Sequence, residues 1–279
     1  MDQGRSQTRN GERIVSKNKI DRLSGFAVIT GASSGIGLEL ARRAGEDGLA
    51  LLLVADRQLD DGVAAAKEGG ASEVETMRTD LATEQGLDDL VEAIGSRRVD
   101  ALIANAGQGQ GGKFLETDWP SLKKVLDTNV TGTISLIHRI GRRMLEANHG
   151  RILVTGSIVG DIPGPFNLTY NSTKSFINDF VVGLAEELKG SEVTVSSLLP
   201  GATDTHFFER ADLDGSGMGD APKADPRKVA RDGYQALLDG ETQEVSGFFN
   251  KLQFVTAGII PDELMAKIHR RMMEPATKK

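Results

Sequence analysis

A chain of 279 residues, 39% hydrophobic and 26% charged, can bury a core without cross-links; wholesale disorder is excluded and one large α/β domain fits the length. The absence of cysteine excludes disulfides, thiolate catalysis, Cys-ligated zinc and iron–sulfur clusters. A net charge of −7 argues against a broad nucleic-acid face, so no nucleic acid is expected as a partner.

In chain order, residues 1–24 are polar and read as a flexible arm with no apolar signal segment. The longest strongly apolar run, 49–55, is too short to cross a bilayer, so a cytoplasmic protein is expected. From Gly25 onward, short apolar runs alternate with helical patterns. Strands are predicted over 26–30, 50–55, 74–78, 101–104, 150–155 and 193–199. Helices are predicted over 38–47, 59–69, 84–95, 122–148, 170–189 and 226–239. This alternation builds βαβ units, and the handedness of their crossovers narrows the fold to a Rossmann-like, doubly wound parallel sheet with helices on both faces. It is expected to form one domain over 25–245. Residues 203–226 break the rhythm with Gly215, Gly217 and Gly219, and read as a lid over a substrate. Residues 246–279 read as an apolar tail ending in a helix, with Leu264, Ile268 and Met272 as its packing row. Lys267, Arg270 and Arg271 make that helix basic; packing on the domain or on a partner is expected ahead of membrane contact.

Between the first strand and first helix stands Thr30-Gly31-Ala32-Ser33-Ser34-Gly35-Ile36-Gly37. Three glycines permit a sharp turn and close backbone approach to a ligand, with the helix's first N–H groups aimed at a pyrophosphate. No Gly-Lys-Ser/Thr follows, so this is not a P-loop. Gly31 to Gly35 also satisfies G-x-S-x-G, with Ser33 as the nucleophile of a serine hydrolase. A hydrolase sheet places strands before that elbow, and no His-Gly-Gly-Gly segment accompanies it, so this remains a remote alternative.

Further along come Asp80-Leu81, Asn105-Ala106-Gly107, Asn129, Ser157, the Tyr170-x-x-x-Lys174 pair and Pro200-Gly201. With the glycine turn, and in this order from Gly25 to Thr205, they make the chain resemble the short-chain dehydrogenase/reductase family. The resemblance implies an NAD(P)-dependent oxidoreductase that transfers a hydride between the nicotinamide and a carbonyl or secondary alcohol. A catalytically silent nucleotide-binding or scaffold protein is the alternative, and the intact tetrad speaks against it.

The residue chemistry agrees. Tyr170 and Lys174 at i, i+4 share a helix face, and an adjacent ammonium is expected to lower a phenol from its ordinary value of about 10, readying Tyr170 as the acid/base. Ser157 can hydrogen-bond the substrate oxygen. The family implies a ribose contact for Lys174 and a relay water held by Asn129. It also implies that Gly31, Ser33, Ser34, Gly35, Ile36 and Gly37 cradle the cofactor. Asp80 and Leu81 would meet the adenine, and Asn105, Ala106 and Gly107 would pack beside the adenosine ribose. Pro200, Gly201, Thr203 and Thr205 would hold the nicotinamide end. The family often has Asn where Ala104 stands. Asp56, ending the second strand, can accept hydrogen bonds from a ribose diol and would repel a 2′-phosphate, which favours NAD(H); Arg57 beside it leaves NADP(H) open.

Ile162, Phe166, Phe207 and Phe208 give the substrate side an apolar lining in prospect, pointing to an apolar carbonyl or alcohol. His138, His149, His206 and His269 show no ligand spacing, so no metal is expected. The helices at 122–148 and 170–189 are the surfaces through which the family forms homodimers or homotetramers.

Overall fold

The computed structural model of the chain describes residues 19–205, 207–211, 213, 223–247, 250–251 and 260–273, without the side chain of Phe208. The first 18 residues of the predicted arm, His206, Gly215, Gly217, Gly219 and most of the predicted lid lie outside the described residues, as does part of the tail.

Strands β1 (Phe26–Thr30), β2 (Ala50–Ala55), β3 (Glu73–Arg78), β4 (Ala101–Ala104), β5 (Gly150–Thr155), β6 (Val193–Leu199) and β7 (Gln243–Val245) form one sheet in the order β3-β2-β1-β4-β5-β6-β7. All pairings are parallel. The helices are α1 (Gly35–Glu46), α2 (Asp60–Gly69), α3 (Glu84–Ile94), α4 (Trp119–Leu126), α5 (Thr133–Glu146), α6 (Leu168–Glu187), α7 (Phe207–Arg210), α8 (Pro226–Asp239) and α9 (Asp262–Met273).

The two faces of the sheet follow from the alternation of side chains along each strand. Ala27 and Ile29 of β1, with Leu51, Leu53 and Ile103, pack against α1 and α8 through Leu40, Ala44, Tyr234 and Leu237. Val28, one residue out of phase, joins Leu52, Leu102 and Ile152 against α3, α5 and α6 through Leu90, Ile140 and Ile177. Burying each large aliphatic side chain contributes about 2 kcal/mol. Both faces being covered explains why β1 and β4 read as unbroken apolar runs. β1 pairs with β2 on one side and β4 on the other, so successive crossovers leave in opposite directions and open a crevice at the carboxyl ends of the strands.

Three expectations are corrected, and one strand is added. The chain docks before Ser24: Ile20 donates its N–H to the Leu238 carbonyl at 2.9 Å, Lys19 pairs with Asp239 at 2.9 Å, and Leu23 is buried. The long helix over 122–148 begins earlier, where Asp118 caps α4 by accepting the Ser121 N–H at 3.0 Å. It is also interrupted by a π turn at Asp127–Gly132 that joins α4 to α5. β7, of three residues, closes the sheet without having shown a pattern in the sequence. In α9 the row Leu264, Ile268 and Met272 faces outward, at 51%, 42% and 39% exposure. The buried row lies one position on, at Met265, His269 and Met273, because those side chains meet Ile162 and the Phe166–Phe207 cluster. Among the described residues, no helix is long and apolar enough to cross a membrane.

Candidate active site

A cleft of about 450 Å³ runs along the carboxyl ends of the strands, from Asp56 at one end to Tyr170 at the other. Its floor is the turn after β1. Gly31 has φ +67°, and a side chain there would meet the Ala106 backbone at 2.9 Å. The Thr30 hydroxyl accepts the N–H groups of Asn105 and Ala106, both at 3.0 Å. The Asn105 amide donates to the Thr30 carbonyl at 3.2 Å and the Gly31 carbonyl at 3.3 Å, and its oxygen accepts from the Thr155 hydroxyl at 3.0 Å. The side chain of Asn105 therefore ties together the ends of β1, β4 and β5, while the backbone of 105–107 lines the cleft. Ser34 stands at the N-cap of α1 but makes no side-chain cap, so the first-turn N–H groups are left for another acceptor.

At the Asp56 end, the carboxylate is paired on both oxygens with Arg57, at 2.8 and 3.2 Å. That hydrogen bonding holds Asp56 below the ordinary carboxylate range, against some desolvation. The carboxylate expected to accept a ribose diol is thus also the ion-pair partner of the adjacent Arg57 guanidinium. The Asp80 carboxylate accepts the Ala82 N–H at 3.0 Å and lies 3.6 Å from the Lys124 ammonium.

At the other end, Ser157 follows β5. Its hydroxyl donates to the Pro200 carbonyl at 3.3 Å and accepts the Val159 N–H at 3.3 Å. The Ser157 backbone is clamped by Asn178, whose amide donates to its carbonyl at 2.9 Å. Tyr170 and Lys174 project from α6. The Lys174 ammonium donates to the Thr155 carbonyl at 2.6 Å and sits 5.7 Å from the centre of the Tyr170 ring. Burial pushes Lys174 down to about 8. Burial pushes the Tyr170 phenol up to about 12, with a hydrogen bond to Ser157 pulling the other way. The expected lowering by Lys174 is thus corrected: burial dominates and moves the phenol the other way. The Phe207 ring, 4.9 Å from that of Tyr170, helps enclose it.

Asn129 lies in the π turn and is 1% exposed. Its oxygen accepts the Gln108 N–H at 2.8 Å; its NH2 donates to the Gln108 carbonyl at 2.8 Å and the Thr173 hydroxyl at 3.0 Å. These partners fix the Asn129 side chain behind the cleft wall, beside the Gln108 segment.

The other expected residues divide in the same way. Ser33, Gly35, Ile36, Leu81, Pro200, Gly201, Thr203, Thr205 and Phe207 line the cleft. Gly37 lies beneath the turn, off the cleft. Ile162 packs with Met265 and Ile260, and Phe166 with Met273 and Phe207, so neither lines it. Val159, Asn167, Lys124, Arg210 and Met273 line the cleft without having been read from the sequence. Asn178 was missed too, although it continues the Tyr170, Lys174 row at i+8.

A family model described as short chain dehydrogenase matches residues 25–214. Sulfoacetaldehyde reductase 2 of Chromohalobacter salexigens is 30% identical over 194 residues, which is 66% of this chain and 75% of that protein. The solved short-chain dehydrogenase from Sphingobium yanoikuyae in complex with NADPH is 26% identical, with a TM-score of 0.74, covering 91% of this chain and 98% of that one. The bulky-bulky ketone specific alcohol dehydrogenase from Comamonas testosteroni is 25% identical, with a TM-score of 0.69, covering 84% and 92%.

Proposed function

The chain belongs to the short-chain dehydrogenase/reductase family and is an NAD(P)-dependent oxidoreductase acting on a CH–OH/C=O pair; within that class we propose that Tyr170 is its acid/base and an uncharged, apolar ketone or secondary alcohol its substrate. The observation that carries this reading is the convergence of Tyr170, Ser157 and Lys174 on the end of the cleft opposite Asp56.

The residues present fit a nicotinamide dinucleotide. The turn at Gly31 lies against the Ala106 backbone too closely for a side chain and lines the cleft floor, the first turn of α1 offers N–H groups to a diphosphate, and Asp56 stands at the far end. When bound, the nicotinamide supplies or takes up the hydride. Ser157 turns its hydroxyl from the Pro200 carbonyl to the substrate oxygen. Tyr170, protonated at neutral pH, delivers its proton to that oxygen as a carbonyl is reduced, and receives it back in the reverse direction. Lys174, fixed by the Thr155 carbonyl, lends positive charge that favours the phenolate once the proton has left. Asn178 keeps Ser157 in place, and Asn129 anchors the Gln108 segment beside α6.

Val159, Phe207 and Met273 make the wall around Tyr170 apolar, which supports an apolar substrate. We assign NAD(H) as the preferred cofactor. The lone pairs of Asp56 not used by Arg57 remain open to a ribose diol, and a 2′-phosphate meets a carboxylate whose charge Arg57 offsets but does not remove. Exposed Leu126, Leu145, Phe176 and Val182 on α4, α5 and α6 support a homodimer through this side.

A panel of carbonyls and alcohols, followed by nicotinamide absorbance with both cofactors, tests this reading. Tyr170→Phe should lower turnover by about 10²-fold or more on any substrate found, with dinucleotide affinity unchanged. Near-wild-type turnover would remove Tyr170 from the chemistry.

A further inference from the structure

We propose that Arg210 is a phosphate-binding residue of the cofactor site, brought to the glycine turn by α7. The inference rests on the dinucleotide reading above and adds a ligand that no glycine-turn or strand-end pattern supplies.

Arg210 is the last residue of α7, and its Nη1 donates to the Ser34 hydroxyl at 3.3 Å. Ser34 is the N-cap of α1, so the guanidinium stands over the first-turn N–H groups of that helix. α7 is seated there by two contacts. Thr205, just before it, packs so closely on Gly35 that a side chain at that glycine would come within 2.6 Å of the Thr205 methyl. Phe207, at its start, lies against the Tyr170 ring. The short helix thus spans the cleft from the proposed acid/base to the glycine turn.

Arg210 is exposed at the mouth of the cleft, with guanidinium donors to spare for an anion. Its hydrogen-bond partner is the neutral Ser34 hydroxyl, and among the described residues no carboxylate forms an ion pair with it. Asp56, which acts on it across the cleft, has both oxygens engaged by Arg57. Desolvation of the guanidinium end, and then the like charge of Arg57, push Arg210 down from its ordinary value; Asp56 and Glu209 pull it back. A guanidinium carries five donors in a fork suited to phosphate oxygens, and a hydroxyl takes one of them. A phosphate in the cleft between Ser34 and Asp56 would meet Arg210, Arg57 and the α1 first turn together. The dinucleotide offers two such groups: the diphosphate of either cofactor and the 2′-phosphate of NADP(H).

The test is titration calorimetry of the full chain with NAD(H), NADP(H), ADP and adenosine 2′-monophosphate, at matched ionic strength, on wild type, Arg210→Gln and Arg210→Lys. Arg210→Gln should weaken the phosphate ligand it serves by about 10- to 100-fold, the scale of a charge-assisted hydrogen bond. Arg210→Lys should recover part of the loss, and the unfolding midpoint of the ligand-free protein should not move. A loss shared by ADP and both dinucleotides assigns Arg210 to the diphosphate; a loss confined to NADP(H) and adenosine 2′-monophosphate assigns it to the 2′-phosphate. Arg210→Gln within twofold of wild type for every ligand overturns the inference and leaves the cofactor reading standing. Wild-type protein that binds neither dinucleotide overturns both.

Discussion

Burial shifts Tyr170 and Lys174 in opposite directions, one up to about 12 and the other down to about 8, so the lysine titrates first. Its charge is present below about 8 and lost above it, while the phenol keeps its proton throughout. With the cofactor as the varied reactant, kcat/KM reports ionisations of the ligand-free enzyme. For carbonyl reduction it should be level near neutrality and fall as pH rises through about 8. In Lys174→Ala the whole profile should lie lower, without that limb; a wild-type profile flat from pH 7 to 9.5 would contradict the assignment. Asp56 bears on a different quantity, the ratio of NADP(H) to NAD(H) dissociation constants. Asp56→Ala should lower that ratio, by relieving the like-charge conflict and freeing Arg57 for a phosphate. An unchanged ratio would make Asp56 no more than the partner of Arg57. The sequence showed Tyr170 and Lys174 because their role depends on a spacing that a helix converts directly into a shared face. It did not show the pairing of Asp56, or that Ile162 and Phe166 turn away from the cleft, because side-chain directions in loops follow no period.

Elements with long, regular patterns were legible, and their irregularities were not. The strands at 26–30, 50–55, 101–104, 150–155 and 193–199 agree with the structure to the residue; the first three are bounded, largely apolar runs, as strands buried on both faces are. The π turn that carries Asn129 adds one residue to a turn, too little to disturb the apolar rhythm of the helices on either side. In α9, two rows at i, i+4, i+8 lie side by side. Leu264, Ile268 and Met272 look the more apolar, because the competing row holds His269. What decides between them is the tertiary contact of Met273 with Phe166 and Phe207, which the sequence does not display. Met273→Ala should therefore cost about 2 kcal/mol or more in chemical denaturation, as expected for a truncated core methionine, and should shift KM among ketones of different bulk by enlarging the cleft. Ile268→Ala, on the outward row, should change stability by no more than about 0.5 kcal/mol and leave KM unchanged. Equal effects from the two substitutions would mean that α9 packs through the other row.

At the scale of the whole molecule, the switch between β1 and β4 places the cleft at one edge of the sheet and leaves the outer faces of α5 and α6 outside the site. Phe176 and Val182 are each 45% exposed on α6, and Phe176 stacks on Phe180 at 6.1 Å. Leu145 on α5 is 50% exposed. Apolar side chains of this size in open water mark a face that another surface covers, and a two-fold axis lets one face cover its own copy. On such an axis a single substitution appears twice. Val182→Glu brings two carboxylates into one interface, where like charges close together cost more than either does in water. Wild-type protein at micromolar concentration should sediment as a dimer or larger, and Val182→Glu with Phe176→Glu as a monomer that keeps its helical circular dichroism. Because the cleft is built within one chain, that monomer should still bind the dinucleotide with an affinity near that of wild type. Wild-type protein that sediments as a monomer would mean that this face serves some other contact; a monomeric variant that loses dinucleotide binding would mean that the interface supports the cleft.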